Sequence, residues 1–261
     1  MTILLFLLVG AIAGVMAGLF GIGGGMVIVP VLILTFTAQG VSADVLTHMA
    51  VATSLATIVF TSLSSIREHH RNAAVDWPIV KRMVVGIVVG TAVGVYFITQ
   101  VPGPVLQKMI GVFAWLIAIK MWFGLDPKGH GSSPSALAVG SAGGIIGFGS
   151  SWFGIGGGTF TVPYLTWIQT PMRRAVATSA AVGLPIALTG AISNVIAGWQ
   201  HPDLPSWSTG FLYWPAIIAI VITSVPCAKI GARLAHRLDP KRLKQAFALL
   251  LCIVGTRFLL A

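Results

Sequence analysis

Phe20-Gly21-Ile22-Gly23-Gly24-Gly25, with Val29-Pro30 four residues on, returns unchanged as Phe153-Gly154-Ile155-Gly156-Gly157-Gly158 with Val162-Pro163. Further along, Ala50-Val51-Ala52-Thr53-Ser54 returns as Ala175-Val176-Ala177-Thr178-Ser179. Trp77-Pro78 returns as Trp214-Pro215, and Gly94 matches Gly231 at the same spacing. Anchors recurring in one order read as an internal repeat of about 125 residues. Residues 1–123 form the first copy, 124–134 (GLDPKGHGSSP) a linker, and 135–261 the second copy, all within one membrane domain.

Composition sets the medium. Of the 261 residues, 56% are apolar and 8% charged. A soluble domain carries about 25% charged residues, so a water-soluble enzyme is excluded. The apolar residues fall in runs over 2–19, 26–38, 48–66, 79–99 and 105–123. Matching runs cover 135–151, 159–169, 175–198, 211–232 and 243–261. This is the pattern of an all-α polytopic membrane protein with about 8–10 hydrophobic segments. The first two runs of each half are short and meet at the glycines. They are read as thin spanning helices or as a re-entrant hairpin, and the sequence leaves both open. The start MTILLFLLVGAIAG lacks a basic n-region and its glycine pattern returns at residue 140, so it is taken as structure and not as a signal peptide. The two cysteines, Cys227 and Cys252, form no CxxC and suggest neither a disulfide framework nor a metal site.

Charge sets the orientation. Loop 67–82 holds Arg67, Arg71, Lys81 and Arg82, while its counterpart 199–213 holds no Lys or Arg. Loop 39–47 has none, and its counterpart carries Arg173 and Arg174. Loop 100–108 has only Lys108, and its counterpart carries Arg233, Arg237, Lys241, Arg242 and Lys244. Lys and Arg concentrate on the cytoplasmic side, so equivalent loops are expected on opposite faces. The two halves are then inverted repeats, the linker is cytoplasmic, and both chain ends are external. The net charge of +10 is mostly this topology signal plus contact with anionic lipid, and no nucleic acid is expected as partner.

Three groups of residues bear on chemistry. The glycine runs come first: Gly21, Gly23, Gly24 and Gly25, and Gly154, Gly156, Gly157 and Gly158. Glycine allows positive φ and close backbone approach. Backbone N–H groups exposed there must find partners inside hydrocarbon. With Val-Pro expected in the first turn of the following helix, each run reads as a discontinuous element presenting N–H groups to an anion, or else as a tightly packed kinked hairpin. Second are Thr53, Ser54, Thr178 and Ser179. Their hydroxyls either donate to a substrate oxygen or bond the carbonyl one turn back. Third is Lys229, which either snorkels to the cytoplasmic interface or attracts an anion. The ladders Gly10/Gly14/Gly18, Gly86/Gly90/Gly94 and Gly143/Gly147/Ser151 are read as helix-packing faces. All six acids, Asp44, Glu68, Asp76, Asp126, Asp203 and Asp239, fall in loops or at helix ends, which disfavours a cation pump. His69-His70 is not HExxH, and neither a metal nor a cofactor is expected.

Two FGIGGG-x3-VP segments, each followed by A-x-A-T-S, closely resemble the sulfite exporter TauE/SafE family, also called the toluenesulfonate uptake permease family. The resemblance covers nearly the whole chain. It implies a multi-pass permease of the cell membrane moving a small sulfur-containing anion such as sulfite or a sulfonate. On that reading the glycine runs and the Thr/Ser pairs hold the anion at a midplane site between the halves. A membrane-embedded assembly protein without a transport cycle is the alternative. An intramembrane enzyme lacks any catalytic constellation in this sequence.

Overall fold

A computed structural model describes residues 2–20, 24–124, 134–234 and 240–260. The first half of the chain holds α1 (Thr2–Phe20), α2 (Gly25–Ala38), α3 (Ala43–Arg71), α4 (Trp77–Ile98) and α5 (Gly103–Phe123). The second holds α6 (Ala136–Phe153), α7 (Gly158–Trp167), α8 (Met172–Ala197), α9 (Trp214–Leu234) and α10 (Pro240–Leu260). A two-residue antiparallel pair, β1 (Ser208–Thr209) and β2 (Leu212–Tyr213), precedes α9 and turns at Gly210. Helices α3, α4, α5, α6 and α8 are each long and apolar enough to cross a membrane. The chain is therefore an all-α polytopic membrane protein.

Local chemistry sets several helix ends. Asp76 Oδ1 accepts from the Ile79 N–H at 3.2 Å, and Pro78 occupies the first turn of α4. Ser135 caps α6 through the Ala138 N–H at 3.2 Å. Gly124 and Gly154 stop α5 and α6 in the left-handed conformation, at φ 63° and 61°. Helices α3 and α8 begin earlier than the apolar runs because their first turns are polar (Asp44, Arg173, Arg174) while the backbone pattern is continuous.

The two halves pack across one another. Helix α1 lies on α9 and α6 lies on α4, α3 packs against α8, and α5 against α10. Small residues make the closest approaches. Gly10 meets Ile220 and Gly14 meets Ser224; at equivalent positions Gly143 meets Met83 and Gly147 meets Ile87. Gly86 and Gly90 each abut a backbone carbonyl, of Gly140 and Gly144. Lipid offers no hydrophobic drive between helices, so such backbone contact is what holds them together. Alanine at Gly86 or Gly90 would set a methyl on those carbonyls. Overpacking of this kind costs about 1–3 kcal/mol. The expected result is a lower melting temperature with unchanged ligand affinity, read by thermal unfolding and binding on the same purified variants.

The prolines differ from the sequence expectation. Pro30 and Pro163 lie inside α2 and α7, not in their first turns. Each helix starts at the last glycine of its run, Gly25 or Gly158, so the proline falls in the second turn. There it removes the hydrogen bond to the carbonyl four residues back, that of Met26 or Thr159.

Candidate functional site

The two glycine runs meet. Gly24 (φ 74°) leads into α2, and Gly25 packs directly on the carbonyl of Gly154 and on Ile155. A Cβ on Gly25 would overlap that backbone, so only glycine permits the approach. Gly154 also lies against Val29 and Val51. Ser54 Oγ donates to the Gly154 carbonyl at 2.7 Å and fixes the tip of the second run to α3. Positive φ is confined to Gly24 and Gly154 within the described part of the runs; Gly157 has φ −53° and is helical in conformation. Gly21 and Gly23 lie outside the described residues.

The threonines of the two Ala-Val-Ala-Thr-Ser segments act as struts between halves. Thr53 Oγ1 accepts from the Tyr213 N–H at 3.1 Å, just ahead of α9. Thr178 Oγ1 accepts from the Asp76 N–H at 3.0 Å, just ahead of α4. Both are fully buried, and each satisfies a backbone donor at the start of a helix in the other half. Ser179 Oγ donates to the Val176 carbonyl at 2.8 Å within its own helix. The two copies thus differ: Ser54 reaches across, whereas Ser179 bonds locally.

Ser179 and the second glycine run share a cavity of about 120 Å³. Gly156, Gly157 and Gly158, the start of α7, form one wall. Thr61, Ser62, Ser64 and Ser65 of α3 form another. Glu68 and Lys229, both exposed, stand with His69 in the same lining. Thr61 Oγ1 donates to the Ile58 carbonyl at 3.2 Å. Gly183 of α8 completes the wall between α3 and the glycine run. A Cβ built on it would lie 3.4 Å from Ser62 Oγ and 3.5 Å from the Gly157 nitrogen. The missing side chain therefore leaves open the space beside a hydroxyl and a backbone N–H. The first N–H groups of a helix have no intrahelical partner, and with the helix dipole they favour negative charge. The Ser62 hydroxyl, helix N–H groups and a lysine thus border a small volume that carries one carboxylate, while the Thr61 and Ser179 hydroxyls donate within their own helices.

A sequence profile of the family described as Sulfite exporter TauE/SafE matches residues 6–258. The chain belongs to the sulfite exporter TauE/SafE family. Among curated relatives in this family, a probable membrane transporter protein of Haemophilus influenzae is 37% identical over 99% of this chain and 98% of its own. One of Methanocaldococcus jannaschii is 28% identical over 98% of this chain and 95% of its own. A third, of Bacillus subtilis, is 26% identical over 99% and 98%. No solved structure matches. As a TauE/SafE protein the chain is a multi-pass transporter of the cell membrane and not an enzyme.

Of the residues singled out in the sequence, the TauE/SafE fold brings Gly156, Gly157, Gly158 and Ser179 to the cavity. Gly24, Gly25 and Gly154 form the contact between glycine runs behind it, and Thr53, Ser54 and Thr178 bond backbone groups. Lys229 is a cavity residue. Sequence reasoning missed Ser62, Ser65, Glu68 and Gly183. A signal was present for the first three: Ser54, Thr61, Ser62, Ser65 and Glu68 follow helical spacing. No comparable signal marked Gly183.

Proposed function

We propose that this cavity binds a small sulfur-containing oxyanion, such as sulfite or an organosulfonate, and that the protein moves it by alternating access. The observation that carries the reading is the space over Gly183, bordered by Ser62 Oγ and the Gly157 nitrogen and continuous with the start of α7. Oxygen atoms of an oxyanion accept from such donors, and Lys229 supplies a positive charge at the same site. The volume of about 120 Å³ is several times the roughly 10–15 Å³ that one water needs on the same measure, so a small oxyanion has room. The family name points to sulfite chemistry. Gly156, Gly157, Gly158 and Ser179 are then ligand-contacting, while Thr53, Ser54, Thr178 and the glycine contact hold the two halves in register.

In this reading residues 1–123 and 135–261 are inverted repeats joined by a cytoplasmic linker, 124–134. Reversed loop charge supports it, as do the paired contacts α1 on α9 and α6 on α4. An odd number of crossings per half, either five or three plus a re-entrant hairpin at the glycine run, carries the second copy through the membrane in the opposite sense. The cavity then faces the cytoplasm, beside Arg67, Arg71 and Arg173.

Gly183→Ala is the sharpest test. The added methyl stands at ordinary contact distance from its neighbours, so folding should be preserved. It nevertheless takes the space next to the two donors. Loss of one hydrogen bond to a charged group is worth about 1.5–3 kcal/mol, or roughly ten- to hundredfold in affinity. A binding screen over sulfite, thiosulfate, sulfate and short sulfonates should give one class of saturable ligand, weakened to that extent in the variant at an unchanged melting temperature. Equal affinity in both proteins would remove the cavity as the binding site.

A further inference from the structure

A second cavity, of about 720 Å³, lies at the opposite ends of α3 and α8 from the first and is also lined by the end of α4. Its wall includes His48, which is only 5% exposed. Both ring nitrogens of His48 face backbone carbonyl oxygens. Nδ1 lies 3.0 Å from the Asp44 oxygen in its own helix, and Nε2 lies 3.1 Å from the Ile98 oxygen at the last residue of α4. A carbonyl only accepts. A neutral imidazole carries one N–H, so one of these contacts would set a lone pair against an oxygen. The imidazolium has a donor for each. Phe211 stacks on the ring, with centroids 5.4 Å apart and planes at 29°, and presents a π-face to a cation.

The surroundings allow a proton to come and go. The titratable groups lining this cavity with His48 are Asp44 of α3, Tyr96 of α4 and His201 of the α8–β1 connection. The parts of α5, α8 and β2 that close the wall contribute Gly103, Ser193, Ile196, Ala197 and the nearby Phe211, none of which titrates. His201 differs from His48: its Nδ1 accepts, at 3.4 Å, from the Asp203 N–H. The Ile98 carbonyl also accepts from Val101 N at 3.1 Å, so it anchors the turn between α4 and α5.

We propose that His48 is a proton-binding site of the transport cycle. The neutral imidazole takes a proton from water in this second cavity, and the imidazolium so formed ties the start of α3 to the end of α4. Return of the proton to water leaves one N–H for two carbonyls; with it on Nδ1, bonded to Asp44 within α3, the Nε2 contact to Ile98 that joins α3 to α4 loses its donor. Closure of this end of the protein thereby depends on a proton, which couples transport to pH without an acid at mid-membrane. The coupling rests on the transport reading given above, but protonation of His48 does not.

The first measurement is a nitrogen-15 histidine spectrum of the full chain in lipid nanodiscs, across the roughly pH 5–8 range in which histidine changes charge. His48→Gln assigns the signal, since glutamine keeps an N–H donor for one carbonyl. We expect two N–H nitrogens on His48 at the acid end and a single one at the alkaline end. A ring that stays neutral, or stays charged, throughout overturns the proposal. The second measurement is uptake of radiolabelled sulfite into proteoliposomes with and without a pH gradient. Stimulation by the gradient should be lost in His48→Gln and kept in His201→Gln. Stimulation retained in His48→Gln overturns the coupling role. Absence of sulfite uptake at every pH, with the titration observed, counts against the sulfite reading alone.

Discussion

Gly154→Ala is expected to lower the melting temperature by about 4–20 °C, given the roughly 2–4 °C that 1 kcal/mol moves a chain of this size. Two costs combine. An alanine held at φ 61° pays roughly 1–2 kcal/mol for the left-handed conformation. Its Cβ would also stand 2.7 Å from Val29 Cγ2 and 3.0 Å from Val51 Cα, which overpacks the contact by a further 1–3 kcal/mol or so. Gly124 provides the control. It has nearly the same φ, 63°, with nothing within 4 Å of a built Cβ. Gly124→Ala should therefore show the conformational cost alone. Thermal unfolding of both variants measures the difference. Equal losses would mean that the meeting of the two glycine runs contributes no packing to stability.

The second large effect is on binding and has two signs. Lys229→Gln removes the positive charge from the cavity lining while keeping a polar side chain of similar reach. A hydrogen bond to a charged group contributes about 1.5–3 kcal/mol, so affinity for the anion should fall roughly ten- to hundredfold. Glu68 lies in the same lining with the opposite charge. Glu68→Gln should leave affinity unchanged or raise it. Isothermal titration with the ligand found in the screen reads both. A fall in affinity for both variants would mean that Glu68 serves binding, through a carried proton or a cation, and that the cavity is more than an anion site.

Much of this organisation was readable in the chain before any coordinates. The repeated glycine runs marked where helices break, and the apolar runs located the ten helices among the described residues within a few residues. The glycine ladders declared which helices approach closely, and Gly86, Gly90, Gly143 and Gly147 do so. What the sequence could not express was direction. Thr53 and Ser54 are adjacent in one helix, about 100° apart around its axis, and their hydroxyls go to different partners, Tyr213 and Gly154. The identical Ser179 turns to its own helix instead, because its neighbours differ. Lys229 is exposed and lies in the cavity lining, a placement the sequence alone does not give. The Val-Pro pairs misled because the last glycine of each run is itself helical. For His48, the carbonyl partner 50 residues away is what the sequence could not supply.

The central claim is that a small sulfur oxyanion binds at the start of α7 and crosses the membrane from there. Counterflow of radiolabelled sulfite in proteoliposomes tests it most directly, with wild-type protein and Gly183→Ala compared at equal reconstituted amounts. Transient accumulation of label in wild-type vesicles preloaded with unlabelled sulfite, strongly reduced in the variant, is the predicted result. Vesicles that accumulate no more label than protein-free liposomes, or a variant that matches wild type, would contradict it.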